Sequence, residues 1–102
     1  MEIDISGRHF HVLDPLKESI HDKIGKFEKY DAKLETAHVI LEVQKFFHIT
    51  EITLTGKKIR FVAKESSTDM YAAFDKAYEN MKLQLRRHHD KIKDHKARRY
   101  KA

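Results

Sequence analysis

The side chains best able to do chemistry in this 102-residue chain are cations, and they are crowded at its end. From Lys82 onward the sequence carries nine Lys or Arg against Asp90 and Asp94, a local charge of +7, whereas residues 1–81 hold twelve basic and fourteen acidic side chains, or −2. The last fifth of the chain therefore supplies the whole of its +5 net charge. Such a concentration is more than solubility requires and points to a polyanionic partner. At helical spacing Lys82, Arg86, His89 and Lys93 form one row and Arg87, Lys91 and Arg98 another, so the segment reads as a rail for phosphates. Lys23, Lys26 and Lys29 add a second basic row at i, i+3 spacing.

Other chemistries have weaker support. Eight histidines, including His9/His11 and His88/His89, invite a metal site, but no Cys and no HExxH pattern accompanies them, and the neighbouring Lys and Arg disfavour a cation. No cofactor is implied. His9 or His11 beside a lysine would suit ribonuclease acid–base chemistry, yet no spacing demonstrates such a pair, so the reading is non-enzymatic. Tyr71, Phe74 and Tyr78, at helical spacing, read as core and edge packing before they read as a base-stacking platform.

The elements that must position these cations follow from periodicity. Ile3 and Ile5 alternate in a short strand that ends at Gly7. Asp14 offers an N-cap and Pro15 suits a first helical position. Leu16, Ile20, Ile24 and Phe27 then make the apolar stripe of a helix closing near Tyr30. Three strands follow, with Ala37, Val39, Leu41 and Val43, then Ile52 and Leu54, then Ile59, Phe61 and Ala63 on one face. The other face carries His38, Glu42, Glu51, Thr53, Lys58, Arg60 and Lys64, as expected for a sheet covered on one side only. Gly56 is expected to supply a positive φ for the hairpin between the last two strands, while the turn near Phe46 and Phe47 is not defined by its residues.

Ser67, Thr68 or Asp69 caps a second helix whose stripe runs Met70, Phe74, Ala77, Met81 and Leu85, continued by His88 and Ile92. Extending to about His95, it overhangs the sheet. The expected fold is α+β, in the order β-α-β-β-β-α, with a four-stranded sheet and both helices packed on one face. The first two strands are parallel because a helix separates them, and the crossover is right-handed. Residues 1–95 read as one domain and 96–102 as a basic C-terminal tail open to disorder in the free protein. No apolar run is long enough to span a membrane, and the opening Met-Glu-Ile-Asp lacks a signal-peptide pattern, so an unexported, cytoplasmic protein is expected. A membrane-surface adaptor is disfavoured because the core needs the apolar stripe of the second helix.

Four runs resemble the ribosome hibernation promoting factor family, which includes the ribosome-associated inhibitor of translation and the sigma-54 modulation proteins. They are Ile5-Ser6-Gly7-Arg8, Lys23-Ile24-Gly25-Lys26-Phe27-Glu28-Lys29-Tyr30, Asp69-Met70-Tyr71-Ala72-Ala73-Phe74-Asp75 and Gln84-Leu85-Arg86-Arg87-His88. The resemblance implies a fold like a double-stranded-RNA-binding domain with an added strand. It also implies binding to the small ribosomal subunit and its rRNA at the decoding channel, in competition with tRNA and mRNA, silencing translation in stationary phase or stress. Carried over by position, it implies RNA contacts at Lys23, Lys26, Lys29, Arg86, Arg87, Lys91 and Lys93, and Lys82 joins these candidates from the basic row of the second helix. Leu13 stands where relatives usually have Thr, so capping of the first helix is expected to shift to Asp14. Asn80 and Leu83 occupy commonly basic positions, with Lys76 and Lys82 as substitutes. With nothing after Ala102 to match a dimerisation domain, the short, monomeric type is expected. The alternative reading is a general double-stranded-RNA or tRNA-binding module.

Overall fold

The computed structural model describes the backbone of residues 1–30 and 33–101 and the side chains of 1–30 and 33–90. Its elements are β1 (Glu2–Arg8), α1 (Asp14–Gly25), a 3-10 segment (Lys26–Tyr30), β2 (Leu34–Gln44), β3 (Phe47–Gly56), β4 (Ile59–Ser67) and α2 (Met70–Lys101). The sheet order is β1-β2-β3-β4, with β1 parallel to β2 and the other pairs antiparallel. This is the expected α+β order, and the register explains it. Ile5, Val39, Ile52 and Ala63 lie in one cross-strand row, and Ile3, Ala37, Leu54 and Phe61 in another, so every apolar set faces the same side.

That side is buried by the helices. Ile20 and Ile24 of α1, Phe27 of the 3-10 segment, and Ala73, Ala77, Met81 and Leu85 of α2 join the strand residues in one core, all at most 1% exposed. Each larger side chain contributes about 1.5–3 kcal/mol by leaving water. Both helices start at the sheet end that holds the β2–β3 turn and run toward the end that holds the β3–β4 turn. Thr50 Oγ1 meets Met70 Sδ at 3.5 Å near one end, and Phe61 meets His88 edge-on at 5.3 Å toward the other. Beyond that level α2 continues through residues 89–101, about 20 Å at 1.5 Å per residue.

Several local expectations are corrected. Asp14 does not cap α1: Leu13 occupies the N-cap with φ −72° and ψ 150°, no side chain caps the helix, and only the Leu13 carbonyl accepts from Lys17 N at 3.0 Å. The α-helical hydrogen bonding ends at Gly25, and a tighter 3-10 turn carries the chain to Tyr30 so that Phe27 can point into the core. At α2, Asp69 is the cap among the three candidates, its Oδ1 accepting from Ala72 N at 2.9 Å.

Gly56 does not have a positive φ; Lys58 does, at 64°. Gly56 is required for space instead, since a Cβ there would stand 2.5 Å from the Lys33 carbonyl oxygen. The β2–β3 connection, undefined in sequence, is a two-residue turn of Lys45 and Phe46 between Gln44 and Phe47, with Lys45 at φ 52°.

Candidate nucleic-acid interface

The helix ends and the two loops beside them assemble the basic surface. Lys23, in the last turn of α1, reaches across to α2, where its Nζ lies 3.5 Å from Asp75 Oδ1 and 5.8 Å from the centre of the Phe74 ring. Lys26 and Lys29 are exposed in the 3-10 segment, where three residues per turn stack them on one side. Lys29 Nζ stands 5.3 Å from the Tyr30 ring centre.

On α2 the two expected rows separate. Tyr78 stacks on Phe27 with ring centroids 4.7 Å apart, so Lys82 and Arg86, one and two turns further on, follow the flank that faces the 3-10 segment and its lysines. Lys82 Nζ is 3.9 Å from Glu79 Oε1, and Arg86 is exposed. On the opposite flank Asn80 donates to Glu65 Oε2 at 2.8 Å and Gln84 to the Val62 carbonyl at 2.9 Å. Arg87 continues that line beside β4. Convergence with Lys23, Lys26 and Lys29 therefore holds for Lys82 and Arg86 and not for Arg87. The side chains of Lys91 and Lys93 lie outside the described residues. Of the substitutes for Asn80 and Leu83, Lys76 donates to the Ser66 carbonyl at 3.3 Å and is held against the sheet edge.

The structure adds three cations that were not among the expected contacts, one of which, Lys58, was expected on the uncovered sheet face and stands in a turn instead. Exposed Lys57 and Lys58 form the β3–β4 turn, and exposed Lys33 enters β2 at φ 53°, with its carbonyl against Gly56. Both loops belong to the sheet end from which α2 projects. Strand order is the signal that would have found them: a parallel β1–β2 pair followed by two hairpins puts the start of β2 and the β3–β4 turn at one end.

The remaining polar groups are local. Burial, with Tyr30 and Glu79 nearby, raises the Tyr78 phenol above its ordinary pKa. His38 Nδ1 lies 3.3 Å from Asp4 Oδ2 on the uncovered sheet face, and Arg8 lies 3.9 Å from Glu42 there. Among the described residues no group of three or more His, Asp or Glu side chains is placed to hold a metal ion. Of the tyrosine and phenylalanine stripe, Phe74 is core, Tyr78 is half-buried and Tyr71 is 68% exposed.

Residues 3–93 match the profile of the family described as sigma 54 modulation protein / S30EA ribosomal protein. The chain belongs to this family. Among its relatives is the ribosome hibernation promoting factor of Salmonella typhimurium, 34% identical over 95 residues that cover 93% of this chain and all of that protein. The corresponding factor of Pseudomonas putida is 33% identical over 91 residues, 89% of each chain. Among solved structures, the N-terminal domain of Thermus thermophilus Protein Y superposes with a TM-score of 0.76 at 26% identity, covering 85% of this chain and 98% of that one. A ribosomal subunit interface protein from Coxiella burnetii superposes at 0.79 over 86% of this chain and 97% of its own, and at 20% identity it supports the fold alone. For this S30EA-family chain the match spans the parallel strand pair, α1, the β3–β4 turn and α2 as far as residue 93, so Lys23, Lys26, Lys29, Lys33, Lys57, Lys58, Lys82 and Arg86 all lie on the family framework.

Proposed function

We propose that this protein is a ribosome hibernation factor that acts by occupancy, without catalysis. The observation that carries the reading is the match along almost the whole chain to hibernation promoting factors, with all of the Salmonella protein covered. The basic end supports it. Lys26, Lys29, Lys82 and Arg86 share one side of the helices, Lys33, Lys57 and Lys58 border the same end, and such a surface meets phosphates of folded, A-form RNA through shape and backbone.

In the proposed mechanism the domain enters the decoding channel of the small ribosomal subunit as a monomer, in the cytoplasm. Its lysines and arginines, with Lys91 and Lys93 among them, neutralise rRNA phosphates, and the volume it fills excludes tRNA and mRNA. Residues 1–95 form the binding unit, and the basic stretch 96–102 adds charge on RNA. Translation is thereby silenced in stationary phase or stress.

Co-sedimentation with purified small subunits, across a salt series and with or without tRNA, tests this. With about six phosphates contacted, log affinity should fall against log salt with a slope of about −4 to −5, and tRNA should displace the protein. An Arg86→Ala/Arg87→Ala variant should bind more weakly with a shallower slope. Equal affinity for any RNA duplex together with indifference to tRNA would return the chain to the general RNA-binding alternative.

A further inference from the structure

Phe46 is 85% exposed in the two-residue turn between β2 and β3, flanked by Lys45 and by Phe47, itself 56% exposed. The fold has no use for this ring, which stands outside the core. At that exposure, in a two-residue turn, most of the ring surface is open to solvent. A flat apolar patch is covered from one side, whereas a nucleobase slides against the face of a projecting ring. Lys45 occupies the left-handed region at φ 52°, a conformation that favours glycine or asparagine over a long side chain, and so puts a cation next to the ring where turn chemistry alone would not choose one. This turn lies at the opposite sheet end from Lys57 and Lys58, about 33 Å away along the ten residues of β3.

We propose that Phe46 is a stacking platform for an unpaired base of the RNA that this chain binds, with Lys45 neutralising an adjoining phosphate. The inference rests on the rRNA-binding reading above and deepens it, giving the domain a second anchor remote from the basic end. Single-stranded or bulged segments supply such bases, and stacking tolerates any of the four.

The chain contains no tryptophan, so Phe46→Trp keeps an aromatic face and introduces a unique fluorophore. Emission of this variant would be followed on titration with purified small ribosomal subunits, alongside co-sedimentation of wild type, Phe46→Leu and Phe46→Ala, with circular dichroism confirming that each variant is folded. Base stacking requires quenching of the introduced indole on binding, full affinity for Phe46→Trp, and a loss of about ten-fold for both Phe46→Leu and Phe46→Ala. Full affinity in Phe46→Leu with a loss only in Phe46→Ala would mean apolar docking on protein and overturn the proposal. Normal binding by all variants with unchanged emission would overturn it as well, leaving ribosome binding intact. Failure of the wild type to sediment with small subunits would remove the ribosome reading and this inference with it.

Discussion

Phe27 and Tyr78 stack with ring centroids 4.7 Å apart and planes 24° from parallel, joining the 3-10 segment to the third turn of α2. Phe27 is fully buried in this contact, and the same contact fixes the spacing between Lys26 and Lys29 on one side and Lys82 and Arg86 on the other. Phe27→Ala should therefore cost about 3–5 kcal/mol, read from urea unfolding, with a cavity left at the helix junction. A loss under about 1 kcal/mol would show that the junction is not packed as described.

The raised Tyr78 pKa has a sign. The folded state favours the neutral phenol, so its contribution is present below the ordinary value of 10.0 and declines as pH rises through the higher folded value. Thermal unfolding between about pH 9 and 11 should show wild type losing stability more steeply than Tyr78→Phe, which has no proton to lose.

Lys23 is shared between Asp75 and its proposed RNA partner. Both groups are partly exposed, so breaking the pair by Asp75→Asn should change stability by less than about 1 kcal/mol. Binding to small subunits should nevertheless tighten, because the substitution frees a cation and removes an anion from the surface, whereas Lys23→Ala should weaken binding and reduce the salt slope by about one. Weaker binding by Asp75→Asn would contradict the assignment of Lys23 to the RNA face.

The missing cap on α1 makes a gain available. Leu13 is 63% exposed and sits at the N-cap with extended backbone angles, so Leu13→Thr places an acceptor beside free backbone N–H groups without disturbing the core. The melting temperature should rise, by an amount equivalent to about 1 kcal/mol.

At the β3–β4 turn, stability and binding should part company. Lys58 holds a left-handed conformation that costs an L-residue roughly 1–2 kcal/mol, so Lys58→Gly should stabilise the fold while weakening ribosome binding. Gly56→Ala should destabilise by about 1–3 kcal/mol, because the added methyl meets the Lys33 carbonyl. Denaturant midpoints and sedimentation affinities on the same preparations separate the two effects.

The sheet was legible because period-two alternation is a direct record of which face is dry: Val39, Ile52 and Ala63 fall in one row as the pattern requires. The parallel pairing of β1 with β2 followed from the intervening helix. What escaped was governed by tertiary contact. The tightening at Lys26 is set by the burial of Phe27 against Tyr78, and the need for Gly56 is set by Lys33, a residue 23 positions away. The basic site was half visible for the same reason. Periodicity gives the rows on a helix, but the flank each row faces depends on which neighbour the helix rests against. Arg87 thus parts from Lys82 and Arg86, and Lys33, Lys57 and Lys58 enter only once strand order is known.

The hydrogen bonds from Gln84 to Val62 and from Lys76 to Ser66 have a colloidal meaning. They occupy carbonyls along β4, one of the two outer strands, so α2 acts as a blocker against strand addition on that side. Growth of a sheet from chain to chain needs two adhesive borders, and among the described strands β1 is left as the single candidate. Its Glu2, Asp4 and Arg8 side chains already discourage flat pairing. Any edge-to-edge association must then close as a pair through β1, and open-ended fibres are denied a second point of attachment.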